Sequence, residues 1–257
     1  MGSPLNVSYL YCLVHAAKRP SFARGPEGVP LGAKPRAVEA DDGWWLVLSD
    51  VPAQAYDEKA IEAGLKDLDW ISERALAHEQ VVERATRLGP VVPLKLFTLF
   101  HDELRARAHV KKMRRKLSAL RTRLTGCAEW GVRVRYEPKA RKPLPTRPPA
   151  TGAEFLQRKQ ALHGSARDGL KEGLARAQAL LLALEDAAKE SHLRPPDPGL
   201  GTGGANLLAE GAYLVATQRA AAFRSAVKQA AKALAPEGLQ VDLTGPWPAY
   251  HFVADAA

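Results

Sequence analysis

The chain has 257 residues, of which 46% are hydrophobic, and a formal net charge of +9, which suits one large or two small globular domains with an apolar core. No apolar run approaches the roughly 18 to 20 residues needed to span a bilayer, and we expect no signal peptide at the N-terminus. For Cys12 and Cys127, the two cysteines, we predict reduced thiols rather than a disulfide or a metal pair.

The first hundred residues predict an α+β arrangement of strands and one or two helices. Aromatic and branched residues indicate a strand at 7–15. An Asp-Asp-Gly turn joins two further strands at 36–40 and 44–48. A fourth, buried strand is predicted at 91–100, where Pro93 requires either an edge position or a bulge.

Helical periodicity runs through residues 57–88, and Asp69 is suited to cap a second helix within this segment. On the same segment, His78 and Glu79 begin like the helix of a zinc protease, but the second histidine is missing. We therefore predict that His78 is a hydrogen-bonded histidine on the inner face of the helix. An enzyme that acts through this pair is a rival hypothesis, and it requires a cleft with perturbed titratable groups.

Residues 101–125 predict one long basic helix that ends at Gly126. Six apolar residues at spacings of three and four form a seam for packing: Ala106, Val110, Met113, Leu117, Leu120 and Leu124. The other faces carry nine bases, and six of them are candidate partner-binding residues: Arg107, Lys111, Arg114, Arg115, Lys116 and Arg121.

The positive charge of the chain is concentrated around this helix. Residues 101–149 hold 15 Lys or Arg and 4 Asp or Glu, a net +11 that leaves −2 for the rest of the chain. Such a patch indicates either a solvated helix face or a surface for an acidic partner. A nucleic-acid-binding protein that acts through 105–147 is the alternative function, although Phe and Tyr, which stack on bases, are absent from 101–125.

The second half begins with a strand at 130–136, followed by an extended, Pro-rich connector at 137–149. A capping box then opens a helix over 154–190, whose apolar seam has the same spacing as that of 101–125. Two long helices with matching seams are able to pair as a coiled-coil-like hairpin.

The rest of the chain completes an alternation of strands and helices. A glycine-rich loop at 194–204 lacks the Lys-Ser/Thr of a phosphate-binding loop and is predicted to be a mobile linker. A strand or hairpin at 206–217, a helix at 218–235 and a strand at 239–244 follow. Together with the strand at 130–136, this is the element order of a ferredoxin-like domain. We find no catalytic constellation, cofactor site or metal site in the sequence.

The end of the chain carries the most specific motif. Residues 243–252, Leu-Thr-Gly-Pro-Trp-Pro-Ala-Tyr-His-Phe, resemble the carboxy-terminal signature of the gas vesicle accessory proteins GvpF and GvpL, and we predict a Pro-locked tail anchored by Trp247. Other matches follow in the family's order: Tyr9-Leu10-Tyr11, Leu68-Asp69-Trp70, His78-Glu79, Glu129 to Val134, Gly152 with Phe155, Leu156 and Arg158, and Tyr213 to Val215 with Phe223. Eleven of the matched residues are interpreted as structural: Trp70, His78, Glu79, Glu129, Trp130, Gly131, Gly245, Pro246, Trp247, Pro248 and Tyr250.

One stretch departs from the family pattern. Relatives usually have Pro-x-Arg-Phe-Gly-Thr after the helix of the first domain, whereas this chain has Lys95, Leu96 and Phe97 in place of Arg-Phe-Gly. Because lysine does not replace the bidentate contacts of arginine, a pairing made by that arginine in relatives is not carried over to Lys95.

The resemblance implies two α+β domains, 1–125 ending in the long basic helix and 126–257 with a modified ferredoxin-like fold. It also implies a non-enzymatic protein that helps to build gas vesicles, the protein-walled flotation compartments of bacteria and archaea. The implied partners are the hydrophobic shell subunit GvpA and other accessory Gvp proteins, in the gas vesicle and, during assembly, in the cytoplasm. A chaperone-like or nucleating role has a physical basis, because a free subunit with a strongly apolar surface aggregates.

Overall fold

The computed structural model describes residues 5–137, 151–194 and 206–253, apart from the side chains of 158, 159, 161–168 and 206. Except for their first residues, the predicted connector at 137–149 and the predicted loop at 194–204 lie outside the described residues. Within the described ranges, no helix combines the length and the apolar character required to cross a membrane.

The chain divides into two units by its internal contacts. The first unit contains the residues up to Ala128 together with the tail from Trp247 onward, and the second contains Glu129–Pro246. From the sequence, the tail is predicted to belong to the second of two domains, 126–257, so the structural unit that contains the tail differs from the predicted domain. Side-chain contacts of the tail, described below, account for the difference.

The first unit is built on a four-stranded sheet. Its strands are β1 (Asn6–His15), β2 (Arg36–Asp41), β3 (Trp44–Pro52) and β4 (Val91–Phe100), in the order β2-β3-β1-β4. All neighbouring pairs are antiparallel, and the four strands lie where the sequence predicts them. β1 and β3 are therefore central, and β2 and β4 form the edges.

Four helices accompany this sheet. α1 (Glu58–Gly64) and α2 (Leu68–Thr86) precede β4, and α3 (Glu103–Lys112) and α4 (Arg114–Leu124) follow it. The helical segment predicted at 57–88 is thus two helices, which confirms that a second helix starts inside it.

The residue that caps α2 is Asp67, so the prediction of Asp69 was wrong. Asp67 has an extended backbone, and its carboxylate accepts hydrogen bonds from the backbone N–H groups of Asp69 and Trp70 at 3.0 and 3.2 Å. Asp69 lies inside the first turn, where a negative charge also interacts well with the helix dipole. Two acids in neighbouring positions therefore produce the same local signal.

The prediction of one long helix over 101–125 was wrong, because Met113 separates α3 from α4. Met113 has φ −89° and ψ 4°, and its N–H donates to the carbonyl of Val110 at 2.9 Å. This conformation is close enough to helical to keep the phase of the apolar seam. The seam itself is confirmed: Met113 is half-buried, and the other members are buried, namely Ala106, Val110, Leu117, Leu120 and Leu124.

Both faces of the first sheet are covered. On one face, side chains of β1 and β3 pack against Val81, Val82 and Ala85 of α2. Alternate residues of the central strands point to the opposite face and are also buried: Leu10, Leu13, Leu46 and Leu48. Helix α3 contacts β2 and β4, and its buried Ala106 and Val110 lie outside the α2 cluster, so the α3–α4 seam covers this second face.

The described residues of the second unit form a sheet and two helices. Its elements in chain order are β5 (Cys127–Tyr136), α5 (Gly152–Ala183), β6 (Glu190–Arg194), β7 (Asn206–Ala216), α6 (Ala220–Leu234) and β8 (Leu239–Trp247). The strand order is β6-β7-β5-β8, and β6 runs antiparallel to β7. The predicted α+β class is confirmed as a mixed fold with two four-stranded sheets.

The structure differs from two predictions about α5. The helix predicted to reach residue 190 ends at Ala183, and the chain then forms β6, a half-exposed edge strand with no apolar alternation to reveal it. The predicted coiled-coil-like pairing with 101–125 also differs, because α5 buries Ala177, Leu181 and Leu184 in the core of its own unit. A sheet face can bury the apolar seam of a helix as well as a second helix can.

Replacing Leu117 by alanine should destabilise the first unit, because Leu117 is buried in the seam and its truncation leaves a cavity beneath α4. We expect the free energy of unfolding, measured by urea denaturation, to fall by about 2–5 kcal/mol. Leu104→Ala is the matched control, since Leu104 lies on α3 but is 75% exposed. Equal losses in the two variants would contradict the buried seam.

Candidate functional site

The six bases predicted to bind a partner lie on the outer side of α3 and α4. The opposite side of these helices is the buried seam. We define the basic face as these residues, all of which are exposed: Arg107, Lys111, Arg114, Arg115, Lys116 and Arg121. Their charge is therefore accessible to a partner.

Ion pairs hold the basic face beside the edge strand β2. Arg36, the first residue of β2, donates to Glu103 at 2.7 Å and to both carboxylate oxygens of Asp50 at 3.1 Å. At the other end of β2, Nε of Arg114 lies 3.6 Å from a carboxylate oxygen of Asp41. Each partly exposed pair contributes about 1 kcal/mol or less, but the pairs fix the position of the helix.

Helix α3 runs alongside β2 in the same direction. Glu103 begins α3 and contacts the first residue of β2, and Arg114 begins α4 and contacts the last. The strand spans about 16 Å at roughly 3.3 Å per residue, and the helix covers the same length at roughly 1.5 Å per residue. The basic face therefore borders a sheet edge.

Sequence reasoning missed Arg36 and Asp50, and it treated Glu103 only as a charge that suits a helix N-terminus. Arg36 lies 14 residues from Asp50 and 67 residues from Glu103. Strand register and helix packing bring these groups together, so no local sequence signal marks them.

A buried hydrogen-bond network ties α2 to β1 and β4. The Tyr9 hydroxyl lies 2.8 Å from Nδ1 of His78, and Nε2 of His78 lies 3.2 Å from the carbonyl of Leu94. Because a carbonyl can only accept, Nε2–H donates to Leu94, and Nδ1 accepts from Tyr9. The N–H of Phe97 donates in turn to the Tyr9 hydroxyl at 3.4 Å. The predicted hydrogen-bonded histidine on the inner helix face is confirmed.

Burial keeps this network neutral. The His78 ring is 3% exposed, and its desolvation lowers the pKa of His78 to about 4. Burial likewise raises the pKa of Tyr9 far above the usual range of a phenol. Both nitrogens of His78 have partners inside the protein, which does not suit a catalytic or metal-binding histidine. Among the described residues, no group of His, Cys, Asp and Glu is arranged to hold a metal ion.

The stretch that departs from the family pattern forms a bulge in β4. A step of two positions along β1, from Leu10 to Cys12, corresponds to a step of five positions along β4, from Thr98 to Pro93. The edge strand and the bulge are both consistent with the prediction from Pro93. Within the bulge, Phe97 has φ +64°, a left-handed conformation that suits the glycine of the family pattern and costs other residues about 1–2 kcal/mol.

The ring of Phe97 packs against Trp70, which in turn covers a buried arginine. The ring centroids of Phe97 and Trp70 are 5.5 Å apart, and the Arg74 guanidinium lies 3.8 Å above the Trp70 ring. Arg74 is 6% exposed, and it also contacts the carboxylate of Glu73 at 3.3 Å. A buried cation requires such partners. Sequence analysis did not single out Arg74, because a base on an amphipathic helix usually lies in solvent.

The end of the chain packs on α2 in the first unit. The Tyr250 hydroxyl donates to the Glu79 carboxylate at 2.7 Å, and Pro248 and Phe252 are buried. Burial, and to a lesser extent the nearby carboxylate, raise the pKa of Tyr250, so its hydroxyl stays protonated. The prediction of Trp247 as the anchor was wrong: it is 47% exposed. The aromatic content of the tail does not reveal which of its rings is buried.

The remaining signature residues lie where β5 and β8 meet in the second unit. Glu129 and Trp130 are buried on β5. A Cβ atom at Gly131 would lie 2.6 Å from a threonine hydroxyl on β8, and one at Gly245 would lie 2.8 Å from the Glu129 carbonyl. Gly245 also has φ +117°, so glycine alone fits without strain, and Pro246 follows it. A structural role for these residues stays a prediction.

Comparison with known proteins gives matches over nearly the whole chain. The family model described as "Gas vesicle synthesis protein GvpL/GvpF" matches residues 7–254. Gas vesicle protein L from Streptomyces sp. (strain CB03234) is 32% identical over 253 residues, which cover 95% of this chain and 92% of that protein.

Two solved structures have a similar fold. The crystal structure of the gas vesicle protein GvpF from Anabaena sp. PCC7120 matches with a TM-score of 0.66 and 16% identity, covering 96% of this chain and 95% of that one. GvpF from Microcystis aeruginosa matches with a TM-score of 0.64 and 15% identity, covering 97% and 99%. At these identities, the two matches bear on the fold alone.

The buried His78 should make stability depend on pH. Its pKa is about 4 in the folded protein and about 6.5 in an unfolded chain. Between these values the unfolded state binds more protons, so this contribution is fully present above pH 6.5 and is lost as the pH falls toward 4. In the wild type, this histidine should lower the free energy of unfolding by roughly 3 kcal/mol between pH 7 and pH 4. We expect His78→Gln to abolish this decrease.

Urea denaturation of the wild type and His78→Gln at several pH values measures this difference. The exposed His101 supplies the control, because His101→Gln leaves the buried network intact. The assignment fails if His78→Gln keeps the full pH dependence of the wild type.

The tail contact should be visible in a double-mutant cycle. Tyr250→Phe removes the hydroxyl that donates to Glu79, and we expect the free energy of unfolding of the first unit to fall by about 1–3 kcal/mol. Glu79→Gln weakens the same bond, so the double variant should lose less than the sum of the single losses. Strictly additive losses would show that the two groups are not coupled.

Proposed function

This chain belongs to the GvpL/GvpF family of gas vesicle synthesis proteins, and from that premise we propose that it binds the hydrophobic shell subunit GvpA during early vesicle assembly. Other accessory Gvp proteins are its further partners in this proposal. The role is chaperone-like or nucleating, without catalysis, and it is carried out in the cytoplasm and at the gas vesicle. The observation that carries it is the family match from residue 7 to residue 254.

A physical need supports this role. A shell subunit with a strongly apolar gas-facing surface exposes that surface until it is assembled, and exposed apolar patches of this kind aggregate. A protein that covers the patch, or that delivers subunits to a growing nucleus, prevents this aggregation.

The basic face is the surface that we propose for partner binding. Leu104, Arg107, Ala108 and Lys111 are exposed and recur at spacings of three and four along α3, so they share one side of the helix. An exposed leucine among bases offers an apolar contact and a positive charge together. A partner with both apolar and acidic groups suits this stripe, and the ion pairs with β2 hold the helix in place for binding.

We also propose a two-domain architecture in which the second unit is a modified ferredoxin-like domain. Counted from β5, the strands occupy the sheet in the order 2-3-1-4, and helices follow the first and third strands. This arrangement supports a split βαβ fold. The division into domains at 1–125 and 126–257 stays a prediction.

Nucleic-acid binding through 105–147 is the second candidate, and the exposed bases of α3 and α4 favour it. The lack of Phe, Tyr and Trp between 103 and 124 argues against stacking on bases. Electrostatic binding to duplex DNA would weaken steeply with salt. A salt titration with duplex and single-stranded oligonucleotides distinguishes the two candidates.

Reversing charge on the basic face should weaken binding of the shell subunit without unfolding the protein. We expect Arg107→Glu with Lys111→Glu to reduce the amount of GvpA that stays soluble and co-elutes with this protein after co-expression. The reason is that both side chains are exposed on the proposed surface. Size-exclusion chromatography of the co-expressed pair measures the effect.

The matched control reverses Lys228 and Lys232, which are also exposed and four residues apart, on α6 of the second unit. This variant has the same net charge change and should co-elute with GvpA as the wild type does. Equal co-elution of both variants would exclude the basic face. Precipitation of GvpA with the wild-type protein would contradict shell binding itself.

A further inference from the structure

The outer edge of β2 pairs with no other strand among the described residues. In the first sheet, β2 pairs with β3 on one side only. The carbonyl of Asp50 on β3 accepts from Ala33 at 2.8 Å, so even-numbered residues of β3 bond toward β2. Their partners Arg36 and Val38 therefore bond inward, and the alternating pattern turns the N–H and C=O groups of Ala37 and Glu39 outward.

A side chain occupies one of these outward groups. Nε of Arg19 donates to the carbonyl of Ala37 at 3.1 Å, which agrees with the outward direction of this carbonyl. Within the described residues, no donor or acceptor contacts the backbone N–H groups of Ala37 and Glu39 or the carbonyl of Glu39. An added strand can replace the single bond from Arg19 with a ladder of backbone bonds.

An open groove follows this edge. Its charged lining consists of Arg19, Arg36, Glu39 and Glu103, and Val38 and Trp45 contribute apolar surface. A register shift between Glu39 and Asp41 ends the regular part of the edge. An added strand would therefore pair along 36–39.

Charge indicates which strand fits. Arg107 and Lys111 of the basic face are exposed, and in sequence they lie between Glu103 and Arg114, the residues that contact the two ends of β2. Side chains of an extended segment alternate between two sides. Acidic residues on one side would meet the bases of α3, and apolar residues on the other would meet Trp45.

We propose that the β2 edge binds an extended segment of a partner protein in which acidic and apolar residues alternate, as an added fifth strand. This is strand addition, in which backbone bonds contribute affinity and side chains contribute specificity. The inference deepens the proposed function, and it rests on that function only for the identity of the partner.

A second copy of this chain fits the edge less well. Outward residues must face outward residues, so two antiparallel copies would pair about a two-fold axis perpendicular to the sheet. That axis places both α3 helices on the same side of the joined sheet. Their exposed bases would then approach each other, and like charges across an interface oppose pairing.

Glu39→Pro tests the edge, because its N–H points outward and proline is tolerated on edge strands. Glu39→Ala is the matched control, since it removes the same side chain but keeps the N–H. The probe is a synthetic eight-residue peptide of alternating Val and Glu, with an alternating Val-Lys peptide as the charge control. NMR titration and amide hydrogen exchange at Ala37 and Glu39 report binding, and thermal unfolding checks that both variants fold.

With the Val-Glu peptide, we expect the amide signals of Ala37 and Glu39 to shift and their exchange to slow by about tenfold or more, as backbone bonding requires. Glu39→Ala should bind the peptide, and Glu39→Pro should not. The proposal is overturned if these amides do not respond, or if the Val-Lys peptide acts equally. It is also overturned if the wild type self-associates in a way that Glu39→Pro abolishes, which would assign the edge to a second copy.

Co-elution with GvpA separates this inference from the proposed function. If the wild-type protein keeps GvpA soluble but the amide signals and exchange rates of Ala37 and Glu39 do not change with the peptide, the edge proposal fails and the function stands. If the amides respond but GvpA precipitates, the function fails and the edge remains a binding site for acidic segments.

Discussion

The first unit depends on a histidine that must remain neutral and hydrogen-bonded in an apolar interior. His78 connects α2 to β1 through Tyr9 and to β4 through Leu94, and the N–H of Phe97 extends the chain of bonds. Each buried donor and acceptor has a partner, which is the condition under which polar groups are tolerated in a core. The bulge in β4 exists within this network, since it presents both the Leu94 carbonyl and the Phe97 N–H to the interior.

The same sheet converts a basic segment into a defined surface on its other side. The α3–α4 seam is buried against this face. Arg36 connects the start of β2 to the start of α3, and Arg114, which begins α4, contacts the end of β2. A helix held in this way loses little conformational entropy when a partner binds. It also places positive charge beside β2, an edge of the sheet on which backbone groups point outward, so charge and strand pairing are available together.

Phe97 illustrates how a departure from a family pattern is accommodated. The backbone there is left-handed, which glycine adopts freely and phenylalanine does not. The ring that causes the strain also packs against Trp70, and Trp70 covers the buried charge of Arg74. From the sequence, this departure bore only on the pairing lost at Lys95, whereas the structure shows that the ring standing in place of glycine packs against Trp70.

Sequence by itself determined most of the elements and their buried sides. The spacing of Ala106, Val110 and Leu117, the alternation of the first strands and the neighbours of His78 are local patterns, and they reflect which side of each element avoids water. Tertiary structure alone decided the break at Met113, the sheet face that receives the seam, and the tail residues that anchor the chain end. These features depend on groups that are far apart in the chain and that meet only through strand register and packing. Local periodicity does not predict such contacts.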